Sequence, residues 1–331
     1  MDKPRISVLM GVYNEKISWI NESVESILHQ SYQNFEFIII DDNPSNNEVK
    51  SYLLNLKEKD ERVIVIFNDY NIGLTKSLNK GLAIAKGEYI ARMDADDISF
   101  VSRFEKQVSY LDNHPECDAV YGYWYCFEGE NKTQLELQKA GPNHQQIIKK
   151  LFVYNTLPHP LAMLRSATLK KWGLIYDENF VHAQDYDLWL MMAIKGCIFY
   201  VIPEPLLYYR ISSNQITRSK SSSQHNFRLQ ALKKCLEQYF MSTGFNNQLY
   251  ISHSFLNNLY ESIVSKRTWC DADKQIFTML YITLKCKPYS IPLILYKSVR
   301  RYHFSVQQLA LIVISCLRTI NTYQFKSLEV R

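Results

Sequence analysis

"EYIARMDADD", residues 88–97, is an apolar, β-prone run that ends in three carboxylates, Asp94, Asp96 and Asp97. Aspartate is unfavourable in strands, and like charges this close together repel one another. A solvated turn accounts for such a cluster, and so does a bound cation that neutralises a more negative ligand. The rest of the chain decides between these two interpretations.

Strand-like and helix-like patterns alternate around this run. Short apolar runs that stop at polar residues predict strands at 5–13, 35–45, 62–69 and 88–97, and helical spacing occurs at 18–30, 47–59 and 73–87. The β-α-β-α-β-α-β order predicts an α/β fold, with a mostly parallel sheet flanked by helices on both faces.

Each of these predicted strands stops at polar residues. The four sets are Asn14-Glu15, Asp41-Asp42, Asn68-Asp69 and the three aspartates at 94–97. Ligands of open α/β sheets bind beyond the carboxyl ends of the strands, so the four sets could converge on one crevice. A polar turn explains any one pair, whereas all four together favour a binding site.

The motifs that are missing narrow the choice of ligand. The first strand is not followed by G-x-G-x-x-G, and the sequence contains no G-x-x-x-x-G-K-[ST], which argues against a dinucleotide fold and a P-loop. Carboxylate oxygens prefer hard cations such as Mg²⁺ or Mn²⁺. We therefore expect a divalent cation between the aspartates and a diphosphate, which the cation stabilises as the diphosphate leaves.

Composition is that of a globular protein of one large or two ordinary domains, with 331 residues of which 47% are hydrophobic. The seven cysteines include no C-x-x-C pair, which predicts reduced thiols in a cytosol rather than disulfides or zinc. We expect no signal peptide and no membrane-spanning helix, because no apolar run reaches about 18 residues. The expected location is cytoplasmic.

Charge divides the chain into two parts. Residues 220–331 carry 15 basic and 5 acidic side chains, whereas residues 1–219 carry 23 and 28. We predict a catalytic domain at 1–218 and a basic, mainly helical region at 219–331. Its last segments, with Lys297, Arg300, Arg301 and Arg318, suit an anionic membrane surface, and a helical cap on the catalytic domain explains them equally well. No motif supports a nucleic-acid partner.

The motifs of residues 5–110 resemble those of family 2 glycosyltransferases, which have the GT-A fold. Tyr13-Asn14-Glu15 stands at the family's "YNE", and residues 41–45 stand at its "DDxS". Residues 71–97 match "N-x-G-L…N-x-G…A-x-G-x-Y-I…D-x-D-D". More weakly, residues 155–165, 182–196 and 205–219 are similar to "HP…M-x-R", "ED-Y-DLW-L-R" and "YR-x-H…S".

The resemblance implies roles for individual residues. Asp96 would be the principal ligand of Mn²⁺ or Mg²⁺, with Asp94 near the metal and the ribose. Asp185 would be the base that takes a proton from the acceptor hydroxyl, although an aspartate at a helix start is also a favoured N-cap. The nucleotide-sugar contacts would be Tyr13, Glu15, Asp42, Asn71, Asp94 and Arg210. The acceptor or sugar region would include Asp97, His159, Gln184 and Trp189; Asp97 could instead hold its loop.

The chain departs from the family pattern at three places. Gln184 replaces the glutamate before the predicted base, and a methionine at 191 or 192 replaces an arginine. Ser212 stands at the usual histidine, so His159, His182 or water would have to serve in its place. Arg210 and Arg218 are available for phosphate.

The function implied by the resemblance is an inverting transfer of a sugar from a UDP-sugar to a saccharide hydroxyl. The acceptor would be a diphosphate-lipid-linked saccharide in cell-surface polysaccharide assembly, such as O-antigen or capsule. The enzyme would lie at the inner face of the cell membrane. A metal-dependent nucleotidyl or phosphoryl transferase is an alternative, and so is a non-catalytic nucleotide- or glycan-binding module.

Overall fold

A computed structural model describes residues 3–151 and 155–212, and the helical residues 227, 228, 230–232, 234, 235 and 238. All of them fall in one compact unit that runs from Met1 to Tyr250. The predicted division at residues 218 and 219 stays a prediction. The amphipathic segments predicted between 251 and 331 lie outside the described residues.

The first half of the chain builds a parallel sheet, as predicted. Its strands are β1 (Ile6–Val12), β2 (Phe35–Asp41), β3 (Val63–Phe67) and β4 (Tyr89–Arg92), and its helices are α1 (Ile17–Leu28), α2 (Asn47–Lys59) and α3 (Leu74–Ile84). The spatial order is β3-β2-β1-β4, with every neighbouring pair parallel. Sequential βαβ units therefore position the first four strand ends at one edge.

The second half extends the sheet with strands of both directions. Its elements are β5 (Ile98–Ser99), α4 (Arg103–Asn113), β6 (Cys117–Glu128), β7 (Asn131–Gln138), α5 (His144–Leu151), a 3-10 turn (His159–Leu161), β8 (Met163–Arg165), α6 (Ser166–Trp172), α7 (Gln184–Ile194) and β9 (Ile198–Ile211). The order continues β4-β8-β6-β9-β5, with β7 beside β6. β8 is antiparallel to both β4 and β6, while β6 and β9 are parallel. The sheet is thus parallel through β4 and mixed beyond it.

Helices cover both faces of the parallel part, which explains its continuous apolar runs. Val8 and Met10 of β1 belong to one core cluster with Val24 of α1 and Leu53 of α2. On the other face, Gly81 of α3 lies so close to β1 and β2 that a Cβ there would come within 2.9 Å of the Ile40 side chain. Among the described residues, no helix has the length and apolar character needed to cross a bilayer.

Candidate active site

The three aspartates form one acidic cluster just beyond β4. Carboxylate oxygens of Asp94, Asp96 and Asp97 all lie within 4.8 Å of one another. Burial, together with the charges of Asp94 and Glu15, raises the pKa of Asp96 to about 7. Burial and the charge of Asp96 hold the pKa of Asp97 well above its usual range. A divalent cation would relieve this repulsion.

The donor atoms of the cluster fit a hard cation. Asp94 and Asp96 are partly accessible, whereas Asp97 is 1% exposed. Oδ2 of Asp97 is buried, and within the described part of the chain it has no hydrogen-bond partner. Oxygen-only ligands of this kind suit Mg²⁺ or Mn²⁺ rather than a softer metal.

Arg210 of β9 binds the loop that carries the acidic cluster. Its side chain is fully buried, with the guanidinium 4.8 Å from the Trp19 ring and 4.7 Å from the Phe127 ring. Its Nε donates to the Asp96 carbonyl at 2.7 Å, and its backbone N–H donates to Oδ1 of Asp97 at 2.8 Å. We predicted that Arg210 contacts the diphosphate. In this structure its side chain and backbone bind the acidic loop, and its contact with the nucleotide sugar stays a prediction.

A second buried arginine lies behind the loop. Nη2 of Arg103 donates to the Arg92 carbonyl at 2.9 Å, and its Nε donates to Gln107 at 3.1 Å. Burial lowers the pKa of Arg103 to about 9, opposed by the charge of Asp97. Arg92, which is 2% exposed, donates to the Asp94 carboxylate. Two cations inside the fold therefore offset part of the negative charge of the cluster.

The ends of β1 and β2 form the predicted nucleotide side. Tyr13 is 44% exposed, and its backbone N–H donates to Oε2 of Glu15 at 2.7 Å. Asp42 is buried, and its two oxygens accept from the backbone N–H groups of Ile72 and Gly73, each at 2.8 Å. Asp42 therefore holds the loop after β3, on which Asn71 is exposed.

Asp185 lies in the first turn of α7. The N-cap of α7 is Ala183, which has φ +65°, so the alternative that Asp185 caps the helix is wrong. Nδ2 of Asn155 donates to Oδ2 of Asp185 at 2.7 Å. Burial raises the pKa of Asp185 to about 6, and the charge of Asp94 also raises it. Burial outweighs the helix dipole, which we expected to lower this pKa.

Two residues predicted for the acceptor region belong to an aromatic cluster. Trp189 is fully buried, edge-on to Tyr121 at 5.6 Å, which corrects its assignment as an acceptor contact. His159 is 8% exposed, and its Nε2 lies 2.8 Å from the Tyr176 hydroxyl. Burial holds the pKa of His159 well below its usual range, so this ring is neutral. Gln184, the first residue of α7, is also buried.

Sequence reasoning missed several residues that hold the site. Asn155 binds the predicted base, and Arg92 binds Asp94. Arg92 is a charged residue inside an apolar strand, and this pattern could have identified it as a residue with a buried partner. Glu22 pairs with Arg210, and nothing in the amphipathic pattern of α1 distinguishes it from a solvated residue.

The family model "Glycosyl transferase family 2" matches residues 7–173. The chain belongs to this family. Over 262 residues, this family 2 chain is 35% identical to MJ1057, an uncharacterized glycosyltransferase of Methanocaldococcus jannaschii, covering 78% of the chain and 84% of the relative. Over 220 residues it is 35% identical to WbnJ, an O-antigen biosynthesis glycosyltransferase of Escherichia coli, covering 65% and 82%.

Solved structures share the fold of this family 2 glycosyltransferase. TarS 1-349 of S. aureus, in complex with UDP-GlcNAc, has a TM-score of 0.57 at 18% identity, covering 91% of this chain and 94% of that one. The mannosyltransferase PcManGT from Pyrobaculum calidifontis, in complex with GDP-Man and Mn2+, has a TM-score of 0.53 at 16% identity, covering 96% and 81%. These similarities confirm the predicted GT-A fold.

Proposed function

We propose that this glycosyltransferase moves a sugar from a UDP-sugar to a hydroxyl of a saccharide acceptor, with inversion at the anomeric carbon. One observation carries the proposal: carboxylate oxygens of Asp94, Asp96 and Asp97 lie within 4.8 Å of one another just beyond β4. Burial raises the pKa of both Asp96 and Asp185, and the charge of Asp94 adds to the rise in each. This electrostatic influence supports our proposal that the acidic cluster and the predicted base serve the same reaction. In this proposal the diphosphate would bind at the acidic cluster, and the acceptor hydroxyl would bind at Asp185.

Asp94 and Asp96 would hold a divalent cation, Mn²⁺ or Mg²⁺. When bound, such an ion neutralises the diphosphate and makes UDP a better leaving group. Asp97 and Arg210 keep the loop in place, because the Arg210 backbone N–H binds one carboxylate oxygen of Asp97. The nucleoside would lie beyond β1 and β2, near Tyr13 and Glu15.

Asp185 would act on the acceptor. A sugar hydroxyl is a poor nucleophile until its proton is withdrawn, and an ionised carboxylate can accept that proton. The acceptor oxygen forms the new bond to the anomeric carbon as the bond to the diphosphate oxygen breaks. Attack from the face opposite UDP turns an α-linked donor into a β-linked product. Asn155 orients Asp185 and stabilises its charged form.

We further propose that the acceptor is a diphosphate-lipid-linked saccharide in the assembly of a cell-surface polysaccharide. Relatives named for O-antigen, amylovoran and teichuronic acid biosynthesis support this role. The complex of TarS with UDP-GlcNAc supports a UDP-sugar donor. The basic composition of residues 220–331 supports a location at the inner membrane surface.

A donor screen tests the proposal. Purified enzyme would be mixed with UDP-glucose, UDP-galactose or UDP-N-acetylglucosamine and a diphosphate-lipid saccharide, with and without Mn²⁺. UDP release and the anomeric configuration of the product would be measured. We expect turnover that needs Mn²⁺ and that Asp185→Asn lowers at least 100-fold, whereas Glu58→Gln, at an exposed position of α2, leaves it unchanged.

Three outcomes contradict this proposal. Normal turnover in Asp185→Asn favours a nucleotidyl or phosphoryl transferase. UDP binding without release from any UDP-sugar indicates a non-catalytic module. Turnover without metal removes the role given to the acidic cluster.

A further inference from the structure

A helical stretch far along the chain packs against the helix that carries the predicted base. The described residues between 227 and 238 are helical. Cys235 is fully buried, with its Sγ 3.8 Å from the Leu190 carbonyl of α7. The Phe227 ring lies edge-on to Phe180, in the loop before α7, at 6.2 Å. This stretch is therefore part of the catalytic unit.

Lys234 brings a cation from this stretch to α7. Its Nζ lies 2.9 and 2.7 Å from the two carboxylate oxygens of Asp187, and 2.8 Å from Oδ2 of Asp177. Asp187 is 1% exposed, so its charge cannot be satisfied by bulk water. Burial raises the pKa of Asp187, and the Lys234 ammonium opposes that rise. The Lys234 ammonium therefore favours the charged form of the buried Asp187 carboxylate and links α7 to the later helical stretch.

The first turn of α7 depends on this contact with Lys234 because its N-cap residue makes no side-chain capping bond. The N-cap, Ala183, makes no side-chain capping bond and has φ +65°, a region that disfavours residues with a Cβ. Beside the local bond from the Tyr186 backbone N–H to the Asp185 carboxylate, long-range contacts hold this turn. Asn155 binds Asp185, and Lys234 binds Asp187 two residues later.

We propose that Lys234 is a positioning residue, which fixes the first turn of α7 through Asp187 and thereby keeps the Asp185 carboxylate in its productive place. This inference rests on the proposed function, in which Asp185 is the base. Lys234 would not touch either substrate. Its loss should therefore lower kcat while leaving the KM for the UDP-sugar nearly unchanged.

The test compares full-length variants by amide hydrogen exchange and by steady-state kinetics. The variants are Lys234→Met, Lys234→Arg, the double variant Lys234→Met with Asp187→Asn, and Lys57→Met at an exposed position of α2 as control. Exchange is measured on ligand-free protein. Kinetics uses the three UDP-sugars and the diphosphate-lipid saccharide of the donor screen.

Lys234→Met should lower kcat 10- to 100-fold with less than a threefold change in KM. Its amides at 184–188 should exchange at least tenfold faster, while those of β1 and β2 stay as in the wild type. Lys234→Arg should keep at least a third of kcat, since it retains the cation. The double variant should recover part of kcat, because no buried charge is left unpaired. Lys57→Met should match the wild type.

Wild-type kcat and wild-type exchange at 184–188 in Lys234→Met would overturn the inference. Faster exchange across the whole unit, without a local effect on α7, would overturn it as well, because it indicates general destabilisation. If the wild type transfers no sugar, the proposed function fails on its own. The exchange data then still decide whether Lys234 fixes the first turn of α7.

Discussion

The backbone N–H of Arg210 donates to Oδ1 of Asp97 at 2.8 Å, across 113 residues of sequence. The same arginine donates its Nε to the Asp96 carbonyl and is fully buried. The acidic loop at the end of β4 is thus bound to β9, which is separated from β4 in the sheet by β8 and β6. This attachment makes the shape of the loop sensitive to a residue outside it.

Replacing Arg210 by methionine should unfold the protein more easily and weaken Mn²⁺ binding. The change keeps the backbone N–H that binds Asp97 but removes the side-chain bonds to the Asp96 carbonyl and to the Glu22 carboxylate, and loss of a charge-assisted hydrogen bond costs about 1.5–3 kcal/mol. Urea denaturation gives the free energy of unfolding. Lys132→Met is the matched control, since Lys132 also pairs with Glu22 but is 45% exposed. It should cost less than about 1 kcal/mol; equal losses in the two variants would contradict the bracing role.

The pH dependence of kcat should show an acidic limb near pH 6. The pKa of Asp185 is raised to about 6, and only the ionised form can accept a proton. Activity therefore rises as pH increases through about 6. Asn155→Ala removes a bond that stabilises the ionised form, so it should move the limb to higher pH. Asn113→Ala, at an exposed position of α4, should leave it in place; a limb that moves to lower pH in Asn155→Ala would refute this role.

Asp185→Asn should stabilise the fold near neutral pH while it removes activity. The pKa of Asp185 in the folded state lies above its value in the unfolded state. The protonated carboxyl therefore makes a contribution to the free energy of unfolding that is fully present below about pH 4 and is lost as the pH rises through about 6. A shift of about two units corresponds to roughly 3 kcal/mol, an upper value. Thermal or urea unfolding of both proteins at pH 4 and pH 7.5 gives the difference. No gain at pH 7.5 would show that Asp185 is not held in a desolvated place.

Mn²⁺ should stabilise the wild-type protein through the acidic cluster. A ligand that binds only the folded state at about 100 times its Kd adds about 2.7 kcal/mol. Asp96→Asn should lose most of this gain, whereas Glu58→Gln, at an exposed position of α2, should keep it. Thermal unfolding with MnCl₂, before and after EDTA, provides the measurement. An identical Mn²⁺ shift in Asp96→Asn would locate the metal elsewhere.

Gly73→Ala should weaken donor binding more than it weakens the fold. Gly73 has φ +86° and presents its N–H to Asp42, and a Cβ there would meet no atom within 4 Å. With ψ 155°, Gly73 lies in a region of backbone angles that essentially only glycine adopts, so a Cβ there costs about 1–3 kcal/mol. Relief of that strain would move the loop that carries Asn71. We expect a fivefold or greater rise in the KM for the UDP-sugar.

Gly196→Ala is the matched control for this change. Gly196 has φ +78°, has equally open surroundings, and lies between α7 and β9 beside a cavity lined by Asp118 and Lys171. It should lose similar stability with an unchanged KM. A KM that rises equally in both variants would mean that strain alone, and not the loop, sets donor affinity.

The local sequence pattern alone determined the secondary structure of the first half of the catalytic fold. Apolar runs and helical spacing were sufficient for the four parallel strands and the three helices between them, since each pattern spans only 4–13 residues. The same runs positioned Glu15, Asp42 and the three aspartates at strand ends, because the carboxyl ends of parallel strands share one edge. The motif resemblance added Asp185 and the family.

Tertiary structure alone decided the antiparallel course of β8, the burial of Arg210 and Trp189, and the contact of Lys234 with Asp187. It also set the pKa of Asp185, which burial raises although its helix position suggests the reverse. These features depend on which distant residues meet and on how much water remains between them. A periodic pattern records only whether a side chain faces inward, so it carries no information about the partner that the side chain finds there.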